Sequence, residues 1–406
     1  MAVGLGITSD LRAVAGVSLA VASAGIKKTG KQDLLLIHLA AGTTLAGVFT
    51  QNRFCAAPVH VAREHLAQAQ QGARALVINT GNANAGTGAR GMRDARATCA
   101  AMADALALPE SAVLPFSTGV IGEYLPMDRL TPALPTLAAN LGNADWFEAA
   151  KTILTTDTRP KGHSVLVPVG GQKITVTGIS KGSGMICPNM ATMLGYVCTD
   201  AKIAQPLLQQ LLADTNEHSF NRITVDGDTS TNDACILAAT GASGIELTEH
   251  SPDWAAFRSA VQEVMRELAL QIIRDGEGAT KCVAISVHSA QSSAEALNVA
   301  YTVAHSPLVK TAMTASDANW GRILAAVGRA PLDNLDLTKV QLRLNDVPLV
   351  DGGERHPDYT EAQGAEVFAQ DHFTIHIHLG RGTAAETIWT TDLSHDYVSI
   401  NADYRS

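Results

Sequence analysis

The sequence predicts an α/β fold in which strands and helices are interleaved and form layered α/β domains. Short apolar runs typical of strands alternate with stretches that have helical spacing, and the last third of the chain is rich in strand patterns. No Pro/Ser-rich linker divides the chain, although 406 residues would suffice for roughly two to three domains. We therefore expect any domain boundary to fall within packed structure.

The elements are predicted in order from these patterns. Strand patterns occupy 33–40, 43–50, 75–80, the surroundings of 165, 174 and 223, 234–239 and 282–289, followed by VQLRLNDVPLV, FTIHIHLG and ETIWTTDL. Helical patterns occupy 59–71, 91–106, 127–141, 146–154, 206–219, 252–274 and 294–303, and one more passes through Ile323. Ser251 is a suitable N-cap for the strongest of these helices. A strand from Ser111 is predicted to run into a turn at Thr118 and Gly119.

Composition argues against several classes of protein. The net charge is −9, the sequence pI is about 5.8, and no basic stripe is visible, which argues against a nucleic-acid partner. The six cysteines are scattered without metal-ligand spacing. The amino terminus lacks the features of a signal peptide, and no apolar run is long enough to span a membrane. We therefore expect a cytoplasmic protein with reduced thiols and no membrane partner.

The most unusual stretch is 181–198, KGSGMICPNMATMLGYVC. One interpretation is structural, a glycine-kinked strand that enters a methionine-lined core. The other is functional, with Thr192 as a buried nucleophile. Threonine is a weak nucleophile unless a base lies beside it, and its own α-amino group can be that base once the preceding peptide bond is cut. Met185, Met190 and Met193 would then supply adaptable apolar walls, although a plain core role fits them equally well.

Long runs along almost the whole chain resemble one family, the ornithine acetyltransferases, which are the glutamate N-acetyltransferases of the cyclic arginine pathway. The runs are AGIKKTGKQDL, GVFTQNRFCAAPV, NTGNANAGTG, STGVIGEYLP, KGSGMICPNMATML, VDGDTSTND, DGEGATK, SDANWGRI and INADYRS. So many long matches in one order are far more specific than any single short motif.

The resemblance implies a self-processing enzyme with an N-terminal threonine. The chain would be cut between Ala191 and Thr192 into an alpha fragment, 1–191, and a beta fragment, 192–406, with two copies of each in a heterotetramer. The acetyl group of N2-acetyl-L-ornithine would pass to L-glutamate through an ester on Thr192. No cofactor is expected. Acetylation of glutamate from acetyl-CoA is left open, because the sequence carries no decisive mark of that second activity.

The resemblance also assigns the site residues by their positions in the matching runs. Thr118 and Gly119 would stabilise the oxyanion, and Thr192 would be the nucleophile. The substrate-binding residues would be Thr158, Lys181, Thr192, Glu277, Asn401 and Ser406. The family commonly ends in threonine, so Ser406 is a departure that keeps the hydroxyl and leaves its packing in doubt.

Several alternatives compete with this interpretation. A self-processed amidohydrolase or aminopeptidase would use the same threonine but pass the acyl group to water. An uncut binding protein would leave Thr192 inert, and Cys187 is a rival nucleophile. GNANAGTG lacks the lysine that ends a phosphate-binding loop. The loop DGDTSTND lacks most of a calcium-binding pattern, so we expect it to support the active site through hydrogen bonds. His376 and His378 are expected to lie on an ordinary strand face, and no metal is expected.

Overall fold

A computed structural model describes residues 3–4, 10–27, 30–68, 72, 74–187 and 193–402. The strands, in chain order, are β1 Val17–Ala22, β2 Leu34–Leu39, β3 Thr44–Phe49, β4 Ala75–Asn82, β5 Val113–Val120, β6 Lys161–Val169, β7 Gln172–Lys181, β8 Leu194–Thr199, β9 Ile223–Thr224, β10 Ala234–Ala239, β11 Cys282–Ala290, β12 Gln341–Leu344, β13 Val347–Asp351, β14 Glu354–Arg355, β15 His372–His378 and β16 Ala384–Thr391. The helices are α1 Ala57–Gln68, α2 Gly88–Leu106, α3 Met127–Ala139, α4 Trp146–Thr152, α5 Gln205–Glu217, α6 Trp254–Arg274, α7 Ser293–Ala304, α8 Pro307–Thr314, α9 Trp320–Gly328, α10 Glu361–Phe368 and α11 His395–Ala402.

The chain divides into two compact units. The larger unit comprises Ile7–Asn221 and Asp228–Ile272, and the smaller unit comprises Met1–Gly6, Arg222–Gly227 and Ile273–Ser406. None of the boundaries between the units falls at residue 191. The units are defined by which residues pack together in the folded chain. The fragments 1–191 and 192–406 would be defined by a cut in the backbone. The fragments therefore remain a prediction that the units do not test.

The larger unit contains two sheets that face each other across an apolar core. In the described residues, one sheet has the order β1-β2-β4-β5 and the other has the order β3-β10-β8-β7-β6. Alternate side chains of a strand point to opposite faces, so Leu35 and Ile37 of β2 enter the core that also holds Ile236 and Tyr196 of the second sheet. Phe116 and Tyr196 meet edge to face across this core, with ring centroids 5.4 Å apart.

Helices cover the outer faces of both sheets. Leu34 and Leu36 of β2 point away from the central core and pack in a second cluster that contains Met102 of α2 and Leu134 of α3. On the other sheet, Gly178 has no side chain, and Leu268 of α6 packs over it. This burial on both faces explains why β2 is apolar at nearly every position. The predicted α/β class with layered sheets and helices is confirmed.

The end of β7 and the starts of β8 and β10 lie side by side at one end of the larger unit. Lys181, the last residue of β7, pairs with Leu194, the first residue of β8, in an antiparallel ladder. Leu194 pairs in parallel register with Ala234, the first residue of β10. The segment between Lys181 and Leu194 therefore connects two neighbouring strands of the same sheet.

The smaller unit is built on one mixed sheet with its own core. Among the described residues its strand order is β14-β13-β12-β15-β11-β16-β9. Val283, Ile285 and Val287 of β11 contribute alternate side chains to an apolar cluster with Val299 and Val303 of α7. The run VQLRLNDVPLV, predicted as one strand pattern, forms the hairpin of β12 and β13.

Lys310 of α8 is a buried cation in the smaller unit. Its side chain donates hydrogen bonds to Thr390 Oγ1 at 3.0 Å and to the carbonyl oxygen of Thr391 at 2.5 Å. Burial lowers the pKa of Lys310 to about 8, and the nearby carboxylates of Asp392 and Asp226 only partly oppose that shift. A cation in this position costs stability that the hydrogen bonds offset.

The stability of the protein should therefore rise with pH relative to a Lys310→Met variant. Below about pH 8 the lysine is charged in both the folded and the unfolded protein, so the folded state carries the full cost of burial. Above that pH the unfolded chain binds more protons, and the cost disappears near the unfolded pKa of about 10.4. We expect the difference in unfolding free energy, measured by urea titration, to shift toward the wild type by about 3 kcal/mol between about pH 7 and pH 10.5. A difference that does not change with pH would contradict this account.

Candidate active site

Thr118 and Gly119 lie within β5, so the predicted turn at this position is wrong. Their strand runs parallel to β4, and Gly119 pairs with Gly81. Gly119 has a φ of +136°, and a Cβ at this position would lie 2.3 Å from the carbonyl carbon of Gly81. Only glycine permits that approach. The close contact fixes the backbone beside the buried Thr118 side chain.

The loop DGDTSTND supports this strand through hydrogen bonds, as predicted. Asn232 donates from Nδ2 to the carbonyl oxygens of Ser117 at 2.9 Å and Ala83 at 2.6 Å. Its Oδ1 accepts from the hydroxyl of Thr231 at 2.6 Å. A buried side chain that bridges two strand ends in this way holds Thr118 and Gly119 in position.

Lys181 meets Thr118 at the edge of a pocket. Its ammonium group donates to Thr118 Oγ1 at 3.3 Å. The pocket has a volume of about 260 Å³ with its open mouth included. Its wall includes Thr118, Lys181, Met185, Met193, Asn232 and Asp233. Two of the predicted site residues, one from each sheet of the larger unit, are thus brought together around one cavity.

A buried ion pair organises the loop that carries Thr158. Asp157 and Lys161 are both fully buried, with Asp157 Oδ1 2.6 Å from Lys161 Nζ. Asp157 Oδ1 also accepts from the backbone N–H of Gly182 at 2.7 Å. This bond ties the loop to the residue after Lys181. Thr158, the residue after Asp157, is exposed and lies in the same loop. The structure therefore places the predicted residues Thr158 and Lys181 on two segments that Asp157 joins.

The surroundings of Lys181 are rich in cations. Burial would raise the pKa of Asp157, but Lys161 and Lys181 together hold it well below its usual range. Burial lowers the pKa of Lys27 to about 8, Asp33 and Asp157 oppose that shift, and Lys181 adds to it. Lys27 donates to the carbonyl oxygen of Thr152 at 2.9 Å. Of these lysines, Lys181 lines the pocket, and its ammonium group suits the binding of an anionic group such as a carboxylate.

Asp157→Ala should destabilise the protein by about 3–5 kcal/mol, because it leaves Lys161 charged and buried without its partner. The measurement is urea unfolding at neutral pH. The exposed pair Lys202–Glu246, 2.9 Å apart, is the matched control. Glu246→Ala should cost no more than about 1 kcal/mol, since exposed pairs contribute little. Equal losses in the two variants would show that the buried pair has no special role.

The predicted nucleophile and the predicted cleavage site lie outside the described residues. Ala191 and Thr192 belong to 188–192, and Ser406 belongs to 403–406. Two of the three methionines do line the pocket, as Met185 and Met193. Met193 is buried, whereas Met185 is 39% exposed and has a φ of +52°. The apolar wall predicted from this methionine-rich stretch is thus present at two of its three positions, and Met190 lies outside the described residues.

Two predicted substrate contacts lie together in the smaller unit. Asn401 of α11 donates from Nδ2 to Glu277 Oε2 at 2.8 Å. The neighbouring Gly278 has a φ of +67°, and a Cβ there would lie 2.4 Å from the backbone nitrogen of Tyr397. Glycine at this position lets α11 approach Glu277, which is buried. The sequence alone gave no reason to pair these two residues.

The described residues contain no cluster of three or more histidine, cysteine or acidic side chains that could hold a metal ion. His376 and His378 share one face of β15 and stack on His288 of β11, with His288 Nε2 3.1 Å from His376 Nδ1. All three are partly buried. In the part of the chain that the structure describes, no helix has both the length and the apolar character needed to cross a membrane.

Relatives of the chain identify its family. Residues 18–406 match the model of the ArgJ family. The chain is also 53% identical, over 408 residues and the full length of both proteins, to the "Arginine biosynthesis bifunctional protein ArgJ" of Pseudomonas fluorescens (strain Pf0-1). The chain belongs to the ArgJ family. The membership predicted from the sequence is confirmed, and with it the predicted class of enzyme, an acetyltransferase of arginine biosynthesis.

Two solved structures are also similar to this ArgJ-family chain. The argJ protein of Bacillus halodurans is 39% identical, with a TM-score of 0.49, over 51% of this chain and 97% of that one. The Mycobacterium tuberculosis ornithine acetyltransferase, solved as a complex with ornithine, is 34% identical, with a TM-score of 0.37, over 44% of this chain and 94% of that one.

Proposed function

We propose that this ArgJ-family chain is a self-cleaving glutamate N-acetyltransferase that takes its acetyl group from N-acetylornithine. The observation that carries the proposal is the meeting of Thr118 and Lys181 at one pocket, whose wall includes Met193, the residue that follows Thr192. The Pseudomonas relative is named as a bifunctional protein of arginine biosynthesis, which supports the same pathway.

The first step is the cut between Ala191 and Thr192. The Thr192 hydroxyl attacks the carbonyl carbon of Ala191, and the C–N bond breaks to leave an ester. Water then hydrolyses the ester, giving a carboxylate on Ala191 and a free α-amino group on Thr192. Lys181 and Leu194 pair in an antiparallel ladder, so the strands on either side of the proposed cut are neighbours in one sheet. Their ladder would hold both fragments together afterwards.

The second step is transfer of the acetyl group to Thr192. The free α-amino group, with a pKa of about 8, takes the hydroxyl proton near neutral pH. The hydroxyl oxygen attacks the acetyl carbon of N-acetylornithine, and the oxyanion that forms is stabilised by the Thr118 hydroxyl and the Gly119 N–H. The C–N bond then breaks, and the leaving nitrogen receives the proton. Each oxyanion donor is typically worth about 3 kcal/mol in the transition state.

The amino group of glutamate completes the reaction. It attacks the acetyl carbon of the ester, the bond to the Thr192 oxygen breaks, and that oxygen regains a proton. Donor and product are both α-acetamido acids, so the exchange is nearly isoergonic and needs no cofactor. We propose acetyl-CoA as the second acetyl donor, in line with the bifunctional name of the relative. A dry pocket would protect the ester from water, and the apolar walls at Met185 and Met193 suit that purpose.

Substrate binding is assigned to the residues that the family resemblance names, and their chemistry suits those roles. Lys181 would bind the α-carboxylate, helped by the hydroxyl of Thr158. Glu277, which accepts a hydrogen bond from Asn401, keeps the role that the family resemblance gives it, binding the cationic side chain of ornithine. Ser406 is proposed as the last contact. Two copies of each fragment and a cytoplasmic location complete the proposal.

The mass of the denatured protein, followed by an acetyl-transfer assay, tests the function. We expect two fragments that meet between Ala191 and Thr192, and transfer from N-acetylornithine that depends on glutamate. A single full-length species in an active preparation would exclude the free-amine mechanism. Release of acetate at the same rate with and without glutamate would instead indicate a self-processed amidohydrolase.

A further inference from the structure

Asp233 has a buried carboxyl oxygen with no assigned partner at the pocket. The residue is 3% exposed and lines the same cavity as Thr118 and Lys181. Its Oδ2 makes no hydrogen bond with any described residue. The backbone on both sides is fixed, since the Asp233 carbonyl accepts from Thr50 N–H at 2.9 Å and the N–H of Ala234 donates to the Met193 carbonyl at 3.0 Å.

An unpaired buried acceptor costs about 1–3 kcal/mol, so its presence at a cavity needs a reason. Burial raises the pKa of Asp233 well above its usual range, and a hydrogen bond from Ser230 and the charge of Lys181 offset this in part. A ligand donor that reached this oxygen would complete its hydrogen bonding and offset the cost, and a carboxyl in its neutral form still keeps one acceptor oxygen.

The neighbouring groups indicate what that donor is. An α-acylamido acid presents three polar groups around one nitrogen and one carbon: the acyl oxygen, the carboxylate and the N–H between them. Thr118 and Lys181 offer donors for the first two. The N–H needs an acceptor, and the amide oxygen of Asn232 already accepts one hydrogen bond, from Thr231. Among the described residues that line the pocket, Asp233 carries the buried side-chain oxygen that has no hydrogen-bond partner, its Oδ2.

We propose that Asp233 determines specificity for nitrogen by accepting the N–H hydrogen bond of the acetylated amino acid. This inference rests on the proposed function. Asp233 forms and breaks no covalent bond in either half of the reaction. It holds the nitrogen of the donor while the acetyl group leaves, and it holds the amino group of the acceptor in the same place for the return step.

The test compares two acetyl donors in the first half-reaction. No acceptor is added, and acetylation is measured as the rise in mass of the enzyme. One donor is N-acetylornithine, and the other is its ester analogue with oxygen in place of the α-nitrogen. Asp233→Ala should lower kcat/KM for the amide by about 10-fold or more, as loss of a hydrogen bond to a polar or charged group predicts, and should change the ester far less. Asp233→Asn, which keeps an acceptor oxygen, should restore most of the preference for the amide.

The control is Asp104→Ala, which removes an exposed carboxyl of α2 away from the pocket and should leave both rates unchanged. If Asp233→Ala does not fold, Asp233→Leu removes the acceptor while filling its volume with an apolar group. Equal losses with both donors, or no loss, would overturn the proposal. An equal loss would indicate instead that Asp233 interacts with the α-amino group of Thr192 or is needed for folding. Failure of the proposed function is separate, because a wild-type enzyme that N-acetylornithine does not acetylate would show it without any variant.

Discussion

Thr192→Ala should yield one uncut chain that transfers no acetyl group. The alanine has neither the hydroxyl that attacks the Ala191 carbonyl nor the nucleophile for the acetyl group, so both steps stop. Removal of a catalytic nucleophile typically lowers kcat by at least about 10⁴-fold. Electrophoresis and the mass of the denatured protein report the cut, and acetyl transfer to glutamate reports the activity.

Thr192→Ser is the control for this variant because it keeps the hydroxyl and loses only the methyl group. It should still be cut and should retain measurable transfer. A Thr192→Ala protein cut at the normal position would show that another residue performs the cleavage. Cys187 would then be the first residue to test, since it is the rival nucleophile five residues earlier in the same stretch.

Thr118→Ala should slow both self-cleavage and transfer by about 10²–10³-fold, the usual effect of removing one oxyanion donor. Both reactions pass through a tetrahedral oxyanion, so one donor would serve both. The measurements are the rate of fragment formation in freshly made protein and kcat for transfer. Gly119→Val is less informative, because a side chain there meets the backbone of Gly81 and would move the strand as well.

Thr118→Ser is the matched variant, since it keeps the hydroxyl that would bind the oxyanion. It should behave nearly as the wild type in both assays. If Thr118→Ala slows transfer but leaves cleavage unchanged, the two reactions use different anion sites. If neither rate changes, the hydroxyl is not a donor and its hydrogen bond with Lys181 has only a structural role.

Elements with strong local patterns were predictable from the sequence. The helix predicted at 252–274 is α6, Trp254–Arg274, and the two strand runs at 33–50 are β2 and β3. Their apolar periodicity and the turn residues beside them are local signals, so no distant contact is needed to recognise them. The short helices α8 and α10 carry only about two turns each, and the sequence analysis missed both of them.

The prediction of a turn at Thr118 and Gly119 was wrong because the reason for the glycine lies in a residue that is distant in sequence. A glycine after an apolar run is typical of a turn. Here the glycine is required by Gly81 on the neighbouring strand, which approaches too closely for any side chain. The register between two strands decides which residues make such a contact. That register cannot be read from the sequence of one strand alone.

The family resemblance named residues that the structure brings together in pairs, while their roles stay predictions. Thr118 and Lys181 meet, as do Glu277 and Asn401. Asp157 and Asp233 were missed as individual site residues, because an aspartate in a polar loop is ordinarily a solvated or turn-forming residue. Their burial and their neighbours become visible only once β7, β8 and β10 are placed side by side.

The strand order of the five-stranded sheet in the larger unit has a consequence for how such an enzyme must be made. From one edge to the other the order is β3-β10-β8-β7-β6, so the two strands that follow Thr192 lie between strands that precede it. If the chain is cut as proposed, neither fragment can complete this sheet alone. The two fragments must then come from one precursor chain, in equal amounts. A misfolded chain would not be cut, so it would not gain the free α-amino group of Thr192. Cleavage would act as a check that only correctly assembled molecules become active.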